Sequence, residues 1–229
     1  MKVLVTGANG MIGLATVRHF LEKGYQVAAL VRNIGAATRI DPRAEIRVLD
    51  SDWSNLQDVC SGCDAVVHLA AQRLQPEYEE RGIEAYWLPN VLLTEQLLRA
   101  AAAVGVKRFC AASSVSVYSS KNSSPYRETD YPFPQNFYGT SKLAAEHIAL
   151  LYGRKNGMRV NCLRPSQVLG FDYLRAEGML MTFLRQAAAH QPLTVWRQDR
   201  RDFVYVKDVA EAFERAVQPD APEGIFNIG

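Results

Sequence analysis

The sequence predicts an α/β protein: a doubly wound parallel sheet with helices on both faces, followed by a smaller C-terminal part. Three observations predict it. Short apolar runs alternate with stretches of helical periodicity over most of the chain, the pattern of successive βαβ units. The runs are continuously apolar, as strands covered on both faces require. A glycine-rich turn, Thr6-Gly7-Ala8-Asn9-Gly10-Met11-Ile12-Gly13, closes the first run and opens the first helix.

The elements follow in order. Residues 2–5 (Lys-Val-Leu-Val) form the first strand. Met11 to Lys23 carries Ile12, Ala15, Val17, Phe20 and Leu21 at helical spacing, and Gly24 closes it as a C-cap. A strand at Gln26–Val31, a helix-like turn near 35–40 and a strand at Glu45–Leu49 come next. A short helix over 54–60 leads to a strand at Ala65–Leu69. A long helix is expected over 82–104, then a strand at Arg108–Ala112, a helix over 137–155 and a strand at Arg159–Leu163. Residues 119–136, rich in Ser, Pro, Asn and Asp, read as a long surface loop, a kind that is usually functional. Beyond Arg164-Pro165 the segments shorten, with helices over 175–190 and 207–217 and a last strand at Ile225–Gly229. The chain divides at residues 1–165 and 166–229, some of the second part returning to the sheet.

The glycine turn has the strand and helix context of a dinucleotide cradle. Gly7 permits the tight turn, Gly10 lets the backbone approach a pyrophosphate, and Gly13 lets helix and strand pack closely. The helix N-terminus offers N–H groups and a positive dipole end to phosphates. The first 165 residues are thus expected to form a Rossmann unit binding NAD or NADP. At the end of the second strand an NAD site usually carries Asp or Glu. Here it reads Leu30-Val31-Arg32-Asn33. Arg32 is placed to meet a 2′-phosphate as a bidentate cation, which favours NADP. The alternative is a solvated surface arginine.

Tyr138 and Lys142 stand four apart on a predicted helix and share a face. A phenol is a poor base at neutral pH, and a nearby ammonium favours the phenolate. Tyr138 then exchanges a proton with a substrate hydroxyl or carbonyl, and Ser114 holds the same oxygen. Taken without the cradle upstream, the pair reads as an ordinary amphipathic helix.

Composition sets the bounds. The chain has 229 residues, 48% hydrophobic and 22% charged, with a formal net charge of +2. No broad basic field points to nucleic acid or an anionic membrane, and no apolar stretch is long enough to span a bilayer. The first strand begins at residue 2, leaving no room for a signal peptide, so a cytoplasmic protein is expected. Cys60 and Cys63 form a lone C-x-x-C without a second ligand pair and read as structural thiols, as do Cys110 and Cys162. His19, His68, His147 and His190 show no metal-ligand spacing, so no metal is expected.

These motifs together resemble the extended short-chain dehydrogenase/reductases, specifically the NAD-dependent epimerase/dehydratase group. Thr6 to Gly13 is similar to the T-G-x-x-G-x-x-G loop, and Ser51-Asp52-Trp53 resembles its G-D-L adenine segment with Ser for Gly. His68-Leu69-Ala70-Ala71 matches H-x-A-A, and Asn90-Val91 with Thr94 matches N-V-x-x-T. Ser113 to Tyr118 matches S-S-x-x-V-Y, and Tyr138 to Lys142 matches Y-x-x-x-K. Leu163-Arg164-Pro165, Arg201 to Val206 and Asn227-Ile228-Gly229 match L-R-P, R-D-F-x-x-V and N-I-G.

The resemblance implies catalytic roles for Ser114, Tyr138 and Lys142. It implies cofactor contacts from Thr6, Gly7, Asn9, Gly10, Met11, Ile12 and Gly13, then from Arg32, Asp52 and Trp53. Leu69, Ala70, Ala71, Asn90 and Pro165 complete that set with Tyr138 and Lys142. Substrate contacts are expected from Gln72, Ser116, Arg200 and Arg201. Three departures stand out. Val31 replaces the Asp of NAD-using epimerases, residues 164–170 lack N-V-Y-G-P-R, and Arg197 to Arg200 replace the G-D-G before R-D-F.

The implied activity is reversible hydride transfer on a nucleotide sugar, as a 4-epimerase or dehydratase. An NADPH-dependent carbonyl reductase and a non-catalytic NAD(P)-sensing protein are the alternatives. A homodimer is compatible with each. Relatives continue beyond N-I-G through further substrate-domain helices, so the C-terminal part is expected to be incomplete. Such a chain should bind dinucleotide but turn over substrate poorly, with apolar Phe171, Leu180, Phe183 and Leu184 exposed.

Overall fold

The computed structural model describes residues 1–119, 121–122, 125–170, 179–195 and 201–229. The order is β1 (Lys2–Thr6), α1 (Met11–Glu22), β2 (Gln26–Val31), β3 (Glu45–Val48), α2 (Leu56–Cys60), β4 (Ala65–His68) and α3 (Pro76–Glu80). A broken helix follows: α4 (Glu84–Tyr86), a π-helical turn (Trp87–Leu92) and α5 (Leu93–Ala103). Then come β5 (Arg108–Ala112), a 3-10 turn (Val115–Val117), α6 (Phe137–Asn156), β6 (Arg159–Pro165), β7 (Gln167–Leu169), α7 (Met179–Ala188), β8 (Phe203–Tyr205), α8 (Val206–Ala216) and β9 (Gly224–Ile228).

The main sheet has seven strands in the order β3-β2-β1-β4-β5-β6-β9, and each of its pairs is parallel. The chain winds outward from β1 to β3, crosses back to β4, and winds outward again. The reversal between β1 and β4 opens a crevice at the carboxyl ends of the strands, where ligands bind in such sheets. Register brings those ends level: Thr6 pairs with His68, His68 with Ala111, and Ala112 with Leu163.

Alternation within the apolar strands divides the core into two layers. Leu4, Leu30, Val66 and Phe109 pack with Leu56 and Val59 of α2, Leu97 and Leu98 of α5 and Ala149 of α6. Val3, Val5, Val67 and Cys110 face the other way, onto Val17 and Phe20 of α1 and Val209 and Phe213 of α8. Helix α8 thus shares a layer with α1, and β9 extends the main sheet beside β6. Both α8 and β9 come after residue 165 in the chain. The four cysteines are buried and unpaired.

Two features depart from the sequence reading. The helix expected over 82–104 is interrupted by the π-helical turn, which contains Pro89. Proline lacks the N–H for the i→i−4 ladder and crowds the preceding turn, so the helix widens there. Beyond β6 the chain adds a second, two-stranded parallel sheet of β7 and β8, too short to show periodicity. Residues 175–178 of the expected helix lie outside the described residues, as does Phe171. Helix α7 leaves Leu180 37% and Leu184 54% exposed, with Phe183 half-buried. Among the described residues no helix is long and apolar enough to cross a membrane, and no cluster of His, Cys, Asp and Glu is arranged to hold a metal.

Candidate active site

The glycine turn sits in the crevice. Gly7 takes a left-handed backbone (φ +63°), and a Cβ there would lie 2.8 Å from the Ala70 amide nitrogen. A Cβ on Gly13 would lie 2.1 Å from the Gly7 carbonyl oxygen, so α1 starts hard against the turn. Gly10 is the N-cap of α1 in extended conformation, with no side-chain cap and no acidic residue in the first turn. An uncapped helix start behind a glycine turn suits an anionic group. Thr6 ends β1, Asn9 lies in the turn beside Gly7 and Gly10, and Met11, Ile12 and Gly13 open α1.

Thr6 and His68 lock the two sides of the crevice together. The Thr6 hydroxyl oxygen accepts from the Leu69 and Ala70 amides, both at 3.1 Å, and contacts His68 Nδ1 at 2.8 Å. His68 Nε2 meets the Thr94 hydroxyl at 2.9 Å, and that hydroxyl donates to the Asn90 carbonyl at 2.7 Å. With the Thr94 proton so engaged, Nε2 is the donor of the ring and Nδ1 accepts from Thr6. Burial, and then the nearby Lys142 charge, pull the His68 pKa from 6.5 down to about 3. His68 is thus a neutral strut.

Asn90, delivered by the π-helical turn, spends its amide inside the protein. Its Oδ1 accepts from the Gln72 amide at 2.7 Å, and its Nδ2 donates to the Gln72 carbonyl and the Ser141 hydroxyl, each at 3.0 Å. Ser141 in turn donates to the Tyr138 carbonyl at 2.7 Å. The loop after β4 is in this way tied to α6.

Helix α6 brings Tyr138 to Ser114. The Asn136 side chain caps it, accepting from the Gly139 amide at 2.7 Å. A Cβ on Gly139 would lie 2.2 Å from the Ser116 carbonyl oxygen, so only glycine lets the helix lie on the serine turn. Ser114 caps the 3-10 turn, its Oγ accepting from the Ser116 amide at 3.1 Å and standing 3.1 Å from Ser116 Oγ. Burial raises the half-buried Tyr138 phenol above its usual range, while a hydrogen bond from Ser114 and the Arg73 charge pull it down. Lys142, one turn on, is buried. Burial lowers its ammonium to about 8, and Glu146 counters part of that shift.

Glu146 continues the same face. It holds Arg164 through bonds of 2.8 Å and 2.6 Å, both groups being buried. Arg164 also donates to the Tyr118 hydroxyl at 2.7 Å, which donates to Asn227 of β9 at 2.9 Å. This network joins α6 to the last strand.

The other expected residues are placed as follows. Arg32 is exposed at the end of β2. The Asp52 carboxylate accepts from the Ser54 amide at 3.1 Å and hydroxyl at 2.8 Å. Trp53 has φ 62°, a left-handed conformation that costs a bulky residue about 1–2 kcal/mol, and its indole packs against the first core layer. Pro165 ends β6 and is buried; Ala71 is exposed. A cavity of about 360 Å³ beside the serine turn is lined by Val115, Tyr126, Ser166, Gln167, Arg201 and Asp202. Arg200 lies outside the described residues. Sequence reasoning missed Gly139 and Arg73. Only Gly139 carried a signal, a glycine inside a helical pattern.

A model of the NAD-dependent epimerase/dehydratase family matches residues 3–229. The chain belongs to that family. It is 29% identical to UDP-glucose 4-epimerase of Corynebacterium glutamicum, over all of this chain and 75% of the relative. UDP-N-acetylglucosamine 4-epimerase from Bacillus cereus superposes with a TM-score of 0.88 at 34% identity, covering all of this chain and 75% of that one. UDP-glucuronic acid 4-epimerase from Bacillus cereus, solved with UDP-glucuronic acid and NAD, gives 0.85 at 27% identity, again over the whole chain and 77% of its own length. The chain thus spans about three quarters of these family members.

Proposed function

We propose that this protein is a nucleotide-sugar 4-epimerase with Ser114, Tyr138 and Lys142 as its catalytic residues. The observation that carries the reading is the meeting of Tyr138 and Ser114 over Gly139, at the carboxyl ends of the sheet beside an uncapped glycine cradle. The relatives named above are 4-epimerases of nucleotide sugars, which supports the substrate class.

In this reading Tyr138 takes the proton of the sugar hydroxyl and returns it, while Ser114 holds the same oxygen by hydrogen bond. Lys142 keeps positive charge one turn behind the phenol and favours its ionised form. A bound nicotinamide dinucleotide supplies hydride acceptance and return. Gln72, Ser116 and Arg201, with Arg200, are proposed to meet the substrate. Arg201 lines the cavity beside the serine turn, where a guanidinium suits a diphosphate.

Tyr138→Phe tests the assignment. Loss of the proton-transferring oxygen should lower kcat by about 10²–10⁴-fold and leave cofactor affinity nearly unchanged. Near-wild-type turnover would remove Tyr138 from the mechanism.

For the cofactor, we propose NADP over NAD, because β2 ends in Val31 and the exposed Arg32 rather than a carboxylate. That end also favours the second reading, an NADPH-dependent carbonyl reductase. Arg32→Ala should weaken NADP binding about tenfold more than NAD binding, a charge-assisted bond to phosphate being worth about 1.5–3 kcal/mol. Equal losses in titrations with both cofactors would exclude Arg32 as the reader of the 2′-phosphate.

A further inference from the structure

The start of α6 is held by a group outside its own sequence neighbourhood. Its first two backbone amides, Phe137 and Tyr138, donate to the two carboxylate oxygens of Glu79, each at 3.0 Å. Glu79 belongs to α3, 58 and 59 residues upstream of those amides. A helix start leaves its first amides without intrahelical partners. Asn136 already serves Gly139 locally, so a second, remote cap completes the helix end. A carboxylate bound by two amides at the positive end of a helix makes charge-assisted bonds with a defined direction.

The same carboxylate faces a ring that touches Tyr138. The Tyr86 ring stands edge-on to the Tyr138 ring, with centroids 6.0 Å apart, and edge-on to Tyr78 at 6.4 Å. The Tyr86 phenol is pushed up to about 12 by burial and by Glu79. Glu79 also stands on α3, the helix that follows a loop bound at Thr6 and Asn90. The segment from Leu69 to Glu80 is therefore fastened at the cradle, at the π-helical turn and at the main chain of Tyr138 itself.

We propose that Glu79 is the positioning residue of Tyr138: its carboxylate, bonded to the Phe137 and Tyr138 amides, sets where the phenol stands relative to Ser114 and couples that position to the loop after β4. This rests on the assignment of Tyr138 as the proton-transferring group. Glu79 touches neither substrate nor cofactor in this role. Its effect falls on kcat, because a small misplacement of a reacting group costs much rate, and not on cofactor affinity.

The test compares Glu79→Ala and Glu79→Gln with Asn136→Ala, which removes the local cap of the same helix end. Glu79→Ala should lower kcat roughly ten- to a hundredfold, with cofactor Kd within about twofold of wild type on the strength of the intact cradle. Glu79→Gln, which keeps one acceptor oxygen, should fall between. At equal loss of Tm, Glu79→Ala should cost at least about ten times more in kcat than Asn136→Ala. Wild-type kcat in Glu79→Ala overturns the proposal. So does a fall in kcat no larger than Asn136→Ala gives at the same loss of Tm, which makes Glu79 an ordinary cap. Amide hydrogen exchange reads the coupling without turnover. Glu79→Ala should speed exchange at Tyr138 while the amides of β1 and β4 stay protected. Unchanged protection at Tyr138 overturns the proposal even if the wild-type protein proves inactive on every nucleotide sugar, a result that would count against the function instead.

Discussion

Helices α6 and α7 teach opposite lessons about what positions a helix. The α7 sequence sorts its residues into an apolar and a polar face, whereas α6 mixes them around its axis. Yet α7 leaves Leu180 37% and Leu184 54% exposed. Helix α6 is pinned along its length instead. Asn136 and Glu79 cap its start, and Gly139 lies on the Ser116 carbonyl. Glu146 pairs with Arg164, Gly153 abuts Val160, and Gly157 closes the helix in the left-handed region. An apolar stripe states which face is to be buried and is indifferent to sliding along that face. Single polar bonds and backbone contacts fix a helix to within a fraction of an ångström, and the proposed chemistry stands on the helix so held.

Three perturbations test that contrast, the largest first. Gly139→Ala places a methyl 2.2 Å from the Ser116 carbonyl oxygen, where only backbone can yield. Overpacking of this kind costs about 1–3 kcal/mol, and turnover should fall by at least about tenfold because Tyr138 is lifted from Ser114. Denaturant unfolding and steady-state kinetics read the two effects. An unchanged kcat would mean that the contact places nothing of importance.

Acid probes the strapped crevice. Between pH 6.5 and about 3 the unfolded chain protonates His68 while the folded chain refuses the proton. The unfolded state binds more protons there, so stability is lost as pH falls, by up to ~1.4 kcal/mol per unit from this group. The stability difference between wild type and His68→Gln should therefore shrink on going from pH 7 to pH 5. A constant difference would show that burial does not hold His68 neutral in the folded chain. The smallest effect belongs to α7. Leu184→Gln should change stability by less than about 0.5 kcal/mol, measured by the same unfolding curves, and a larger loss would show that the α7 face is packed in solution.

Much of the fold was legible because its signals are local. Continuous apolar runs such as Val3–Val5 and Val27–Val31 belong to strands buried on both faces, and Gly7 and Gly13 mark a turn that needs absent side chains. The break at Pro89 was less visible, since a proline inside a helical pattern marks a disturbance without saying that the helix continues through a wider turn. The pair β7 and β8, three residues each, is too short for period-two alternation to stand out.

The site divides the same way. Tyr138 and Lys142 were legible from one spacing, because four residues along a helix always return to one face. Their partners were not. Glu79 reaches Tyr138 across 59 residues, Arg164 reaches Glu146 from another element, and Arg73 acts on the phenol from the loop after β4. Chain connectivity and side-chain period, both properties of neighbours in sequence, determine by themselves the strands, the glycine turn and the face of α6. Which remote carboxylate caps that helix, which carbonyl it lies on and which charge stands behind its lysine were decided by the tertiary structure alone, because such contacts exist only once the sheet has brought distant residues to the same edge.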